Sequence, residues 1–230
     1  MTMALASHLD VIKSLHWADY LTSGADRLGV TVSAHACSLL AQHACELLVW
    51  NRRINLTTIT EPYAMAEKHY IDSLAAVIHI PQGASLLDIG AGGGFPGIPL
   101  KIVRPDIQVA LIDARARKVS FLKHAIRVIG LDGAEAVHER IDPLENKAPR
   151  FDVVISRALM AVGEFIDLAS GFCRPGGAIV AMQGKQGPDP PASVRAGRKK
   201  RTLGAALRVD TVAYHLPYSR ARRSITIVTL

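Results

Sequence analysis

The chain has 230 residues, 49% of them apolar, with a mean hydropathy of +0.20, a net charge of +7 and three cysteines. A chain of this length buries about 70% of its unfolded surface, which excludes a disordered polymer. Cys37, Cys45 and Cys173 show no C-x-x-C spacing, and there is neither a run of about 18 apolar residues nor a basic, export-type start. The expectation is a cytosolic protein, monomeric, without disulfides, metal or a membrane span.

Charge is laid out unevenly. Residues 1–84 hold 5 Lys and Arg against 7 Asp and Glu, residues 85–184 hold 12 against 11, and residues 185–230 hold 10 against 2. The surplus belongs to the last segment. A localised basic face points to a polyanion such as nucleic acid, the alternative being a solvated charge run.

In chain order, the first 80 residues read as a helical extension. Ala36, Leu39, Leu40, Ala44, Leu47 and Leu48 recur at helical spacing up to Trp50. A second helix is expected with Thr60 as cap, Pro62 in its first turn and Pro81 as its stop. Residues 81–230 change grammar. Short apolar runs at Ser85–Ile89, Gln108–Ile112, Ala134–His138, Phe151–Ile155 and Ala178–Met182 alternate with candidate helices at Gly97–Val103, Arg117–Ile129 and Val162–Gly171. That alternation predicts an α/β fold with a mostly parallel sheet. Val209–Leu216 and Ser224–Thr229, joined at Pro217-Tyr218-Ser219-Arg220, predict an antiparallel hairpin at its end. The proline- and arginine-rich stretch Gly184–Gly204 is expected to be mobile without a partner, and reads either as an RNA-contacting loop or as an ordinary linker.

The strongest local signal is Leu86-Leu87-Asp88-Ile89-Gly90-Ala91-Gly92-Gly93-Gly94-Phe95-Pro96-Gly97, a strand entering a glycine-rich turn and then a helix. Such a turn lets a ligand lie against backbone. Gly92, Gly94 and Gly97 match the dinucleotide pattern G-x-G-x-x-G, whereas Gly90, Gly92 and Gly94 match G-x-G-x-G. Asp88 decides between them, because a carboxylate beside the turn repels a pyrophosphate and favours a cationic ligand such as S-adenosylmethionine. The alternative is a buried acid capping the loop backbone. Asp113, ending the second run, is placed to grip a ribose diol for either ligand. Near the third run an adenine can lie with its face on Ile141 and its amino group toward Asp142. Arg157, directly after an apolar strand, needs a partner: a ligand carboxylate, an adenine plane or an acid such as Asp88.

Together these residues resemble the bacterial small-subunit ribosomal RNA guanine-N7 methyltransferase family, RsmG/GidB. The resemblance rests on Asn55-Leu56-Thr57, Lys68-His69 with Asp72-Ser73, the loop through Gly94-Phe95-Pro96-Gly97-Ile98-Pro99-Leu100, Asp113, Phe121-Leu122 and Ser156-Arg157-Ala158. It implies a class I S-adenosylmethionine-dependent methyltransferase fold, Rossmann-like, with a seven-stranded sheet and an N-terminal helical extension. It also implies methyl transfer to guanine N7 in the 530 loop of 16S rRNA, on the rRNA or a 30S subunit precursor, with Gly90, Phe95, Ile141, Asp142 and Arg157 at cofactor-contacting positions. Where the family carries a Lys before the glycine that follows its last central strand, this chain has Gln183-Gly184-Lys185. Lys185, Arg198, Lys199, Lys200, Arg201, Arg222 and Arg223 are the candidate RNA contacts. His69 and Asp72 are the candidates beside the methyl acceptor, the alternative being a packing histidine bonded to Asp72. An NAD-dependent oxidoreductase, a small-molecule methyltransferase and a noncatalytic RNA-binding module are the rival readings.

Overall fold

A computed structural model describes residues 3–141, 150–157, 159–184 and 208–230. Three helices open the chain: α1 (Met3–Ile12), α2 (Leu15–Asp26) and α3 (Ala34–Asn51). The hydroxyls of Ser14 and Ser33 accept N–H bonds from Trp17 and Ala36 at the starts of α2 and α3.

The next helix departs from expectation twice. Its cap is Glu61 and not Thr60, because the longer carboxylate reaches both the Tyr63 and Ala64 N–H groups, with Pro62 at the first helical position. It is also not one α-helix. A short α4 (Pro62–Met65) runs into a π-helical turn at Ala66–Ile71 and then into α5 (Asp72–Leu74) and a 3-10 turn at Val77–His79. Wide turns of this kind are concentrated at functional sites.

The remainder alternates as the apolar runs predict: β1 (Ser85–Ile89), α6 (Gly97–Val103), β2 (Gln108–Asp113), α7 (Ala116–Ile129), β3 (Ala134–His138), β4 (Phe151–Arg157), α8 (Val162–Ala169), β5 (Cys173–Gln183), β6 (Arg208–His215) and β7 (Arg222–Thr229). Among the described residues these form one sheet of order β3-β2-β1-β4-β5-β7-β6. The first five strands are mutually parallel, and β7 runs antiparallel to both β5 and β6. Strand order therefore reverses between β1 and β4, and in open α/β sheets ligands bind at the strand carboxyl ends of such a switch point.

Alternate residues of each central strand enter opposite cores. Leu86, Leu111, Val153, Ile155 and Val180 pack with the N-terminal helices, α6 and α7, while Leu87, Ile89, Ile112, Val154 and Ile179 pack with α8. Burial on both faces is why the runs read as continuously apolar.

At the head of α6 the helix lies so close to the sheet that Gly97 has no room for a side chain. Its N–H donates to Asp88 Oδ2 at 2.8 Å, and an added Cβ would meet the Leu111 side chain and sit 2.8 Å from that same oxygen. Gly97→Ala is therefore expected to destabilise the fold by about 1–3 kcal/mol despite alanine's better helix propensity. Urea unfolding measures this, and an unshifted midpoint would contradict the close approach.

Candidate active site

The glycine bend closes over the neighbouring strand. The N–H groups of Gly90 and Ala91 both donate to Ile112 O, at 2.8 and 3.0 Å, and Gly90, Gly92 and Gly94 all hold positive φ. A side chain at Gly90 would sit 2.7 Å from Leu159 Cδ1, and one at Gly94 would press into Ile98.

The two acids flanking this bend are buried and hold it from below. Asp88 is fully buried; one oxygen accepts from Gly97, while Oδ1 has no hydrogen-bond partner among the described residues. Burial pushes its pKa up to about 7, against the opposing pull of the Gly97 N–H and Arg157. The loop-capping bond left open in the sequence is thus present. Asp113 accepts from the Gly92 N–H at 3.1 Å and the Arg115 N–H at 2.8 Å, which fixes its orientation beside the bend. A bend without side chains, an oriented carboxylate after β2 and an unpartnered buried carboxyl oxygen fit a nucleoside ligand carrying a cationic amino-acid tail. Ile141 is partly buried beyond β3, whereas Asp142 lies outside the described residues. A cavity of about 270 Å³ at the opposite, amino edge of β1 to β3 contains none of these residues.

Arg157 ends β4, and its partners lie on the π turn and the residue after it. Nη1 donates to Lys68 O at 2.9 Å and lies 3.5 Å from Asp72 Oδ2, and Nη2 lies 3.2 Å from His69 Nδ1. A guanidinium only donates, so His69 Nδ1 accepts, and the proton of the neutral ring sits on Nε2, which donates to Thr57 Oγ1 at 2.7 Å. Burial first, and the Arg157 cation second, push the His69 pKa down to about 3. Asp72 in turn accepts from the Tyr214 hydroxyl at 2.7 Å and lies 3.4 Å from Arg223 Nε. His69 and Asp72 are therefore joined through Arg157 and do not bond each other. Arg223 is drawn into this cluster, while Arg222 is exposed.

Phe95 is only 6% exposed. His69 stacks on its ring at 4.6 Å and the Arg157 guanidinium lies over it at 5.1 Å. Thr57 and Tyr214 are cluster members to which the sequence pattern assigns no role, Thr57 lying within the Asn55-Leu56-Thr57 motif. Lys185, Arg198, Lys199, Lys200 and Arg201 lie outside the described residues.

The sheet order, the glycine bend at its reversal and the acid after β2 define a class I, S-adenosylmethionine-dependent methyltransferase. Solved structures share this fold. An S-adenosylmethionine-dependent methyltransferase from Aquifex aeolicus superimposes with a TM-score of 0.53 at 15% identity, covering 73% of this chain and 93% of that one. An O-methyltransferase from Bacillus cereus in complex with SAH gives 0.55 at 18% identity, covering 82% and 91%.

Within that class the particular family is also shown. The GidB model, rRNA small subunit methyltransferase G, matches residues 36–202, and the chain belongs to this family. Ribosomal RNA small subunit methyltransferase G of Myxococcus xanthus is 40% identical over 91% of this chain and 95% of its own length. The protein of the same name from Geobacter metallireducens is 37% identical over 91% and 94%.

Two buried imidazoles give the site a pH signature. Burial also pushes the pKa of His43, whose ring bonds Tyr70, down to about 3. Between their ordinary value of 6.5 and 3, the unfolded chain binds the protons that folded His43 and His69 refuse, so their stabilisation is complete above 6.5 and lost as pH falls through this window. Asp88 acts oppositely, stabilising as pH falls from about 7 toward 3.8. His69→Gln is expected to flatten the acid-side loss of unfolding free energy, measured by urea titration between pH 6.5 and 4. An unchanged slope would show that His69 titrates normally.

Proposed function

We propose that the protein transfers a methyl group from S-adenosylmethionine to N7 of a guanine in the 530 loop of 16S rRNA, acting on the rRNA or a small-subunit particle. The observation that carries this reading is the acid-held glycine bend at the switch point, in a chain of the small-subunit methyltransferase G family. Bound S-adenosylmethionine supplies an electrophilic methyl on a cationic sulfur. The backbone of Gly90, Gly92 and Gly94 would seat it, Asp113 would accept from the ribose hydroxyls, and Ile141 and Asp142 would border the adenine. Asp88, buried beneath the bend, would supply negative potential in its ionised form, which a seated cation favours over the neutral form that burial favours. Arg157 and Phe95, packed together with His69, would line the seat as cofactor contacts.

Guanine N7 presents an in-plane lone pair, so no proton has to leave before attack and no general base is needed. That suits a site whose histidine is neutral with its Nδ1 lone pair engaged, and whose Asp72 is saturated by two arginines and a tyrosine. Catalysis then reduces to alignment, which can supply about 7–11 kcal/mol of the barrier. In regular A-form RNA, N7 lies in a groove too narrow for side chains, so the target base must be unpaired or extruded. The described residues contain no helix long and apolar enough to cross a membrane and no cluster of metal-binding side chains.

Tritium transfer from labelled cofactor to deproteinised 16S rRNA, 30S particles and small metabolites tests the reaction. Label is expected in the RNA of one or both particles, at a guanine that cleaves after borohydride and aniline, the mark of N7 alkylation. Transfer confined to metabolites would overturn the proposal. For the basic segment, neutralising Lys199, Lys200 and Arg201 together is expected to weaken RNA binding and reduce the slope of log affinity against log salt by about 2 to 3. An unaltered slope removes those residues from the interface.

A further inference from the structure

An extruded purine loses its stacking neighbours, and enzymes that act on such bases offer apolar or aromatic side chains in their place. Phe95, the aromatic side chain nearest the glycine bend, cannot serve: its ring is covered by His69 and Arg157. Among the described residues, large apolar side chains exposed by more than a third are few, and those on α1, α2, α3, α7, β6 and the 3-10 turn are not at the carboxyl edge of the central strands. Two are. Leu159 and Met160, 43% and 41% exposed, lie two and three positions beyond the end of β4, and the Leu159 side chain leans over Gly90 closely enough to collide with any Cβ there. Two large apolar side chains that remain this exposed side by side, at the carboxyl edge of a sheet in a chain of net charge +7, do not fit phosphate contact. Their chemistry fits the face of a base, methionine being unbranched and polarizable.

We propose that Leu159 and Met160 form the shelf on which the extruded target guanine lies, bringing N7 against the ligand seated at Gly90. This rests on the reading of the chain as an RNA guanine methyltransferase. The shelf is sequence-tolerant by itself, so it positions the base and does not select it.

The full-length protein, its Met160→Ala variant, the double variant Leu159→Ala/Met160→Ala and Met160→Phe are compared by calorimetry with S-adenosylmethionine and by methylation kinetics on the RNA substrate. The double variant is expected to lose about tenfold or more in kcat/KM, with the loss in kcat, while cofactor affinity stays within about twofold and the salt slope of RNA binding is unchanged. Met160→Ala shows a smaller loss, and Met160→Phe retains activity because an aromatic face also stacks. Methylation by the double variant at the wild-type rate overturns the proposal, as does a loss that tracks weakened cofactor binding. If the wild-type protein binds cofactor but transfers no methyl to RNA, the reading of the function fails and the shelf falls with it.

Discussion

A guanidinium with little access to water fixes the geometry of this site. The Arg157 side chain is 17% exposed, and a charge so placed survives only with its donors satisfied and a counter-ion at hand. The Lys68 carbonyl, the His69 ring and the Asp72 carboxylate meet those needs, all from one π-helical turn and the residue after it. The end of β4 and that turn are thereby locked in one relative position, with the Phe95 ring beside them. Truncating Arg157 would remove more than a ligand contact. It would leave Asp72 with only Arg223 and Tyr214, and free the Nδ1 lone pair of His69.

The same lock limits the chemistry. A histidine that is neutral, hydrogen-bonded at both nitrogens and held at about 3 is a poor proton acceptor near neutrality, and Asp72 already receives a hydroxyl and two cations. The site is built to place groups and not to move protons. A nucleophile arriving with its own lone pair suits such a site, whereas one that must first be deprotonated does not.

Sequence reasoning located what depends on short-range pattern. β1, β3 and α6 fall on the residues read from apolar runs and turn chemistry, because central strands buried on both faces leave little ambiguity. The start of β5 was hidden by Arg174-Pro175-Gly176-Gly177, which reads as a turn yet continues the strand past an irregularity opposite Phe151 and Val153. The π turn was invisible for a different reason: Met65, Ala66, Ile71 and Leu74 suit an α-helix equally well, and only the tertiary partners of Glu67, His69 and Asp72 disclose the wider winding. Long-range pairs were beyond reach. The need of Arg157 for a partner was legible, but that the acid would be Asp72, 85 positions earlier, was not. Tyr214 carries no sequence signal at all, because the carboxylate that its hydroxyl bonds lies 142 residues earlier.

Glu67 extends the argument to the rest of the molecule. It is 3% exposed, and its Oε1 accepts the N–H groups of Tyr218 and Ser219 at 2.7 Å each, holding the turn of the β6–β7 hairpin. Tyr218 stacks on Tyr20 at 3.8 Å and donates its hydroxyl to Tyr20 O, while Arg27 lies over the Tyr218 ring. Trp17 donates to Pro62 O just ahead of the turn. The π turn is thus gripped from three sides: by α2, by the hairpin and by the end of β4. Tyr214 of β6 ties the same hairpin to Asp72, the residue that follows the turn. Any displacement of the hairpin must either break a buried carboxylate's bonds or carry the six residues of the turn along, and with them the partners of Arg157. The N-terminal helices therefore act on the site through contact, and their removal would expose Glu67, Tyr70 and Tyr218 together.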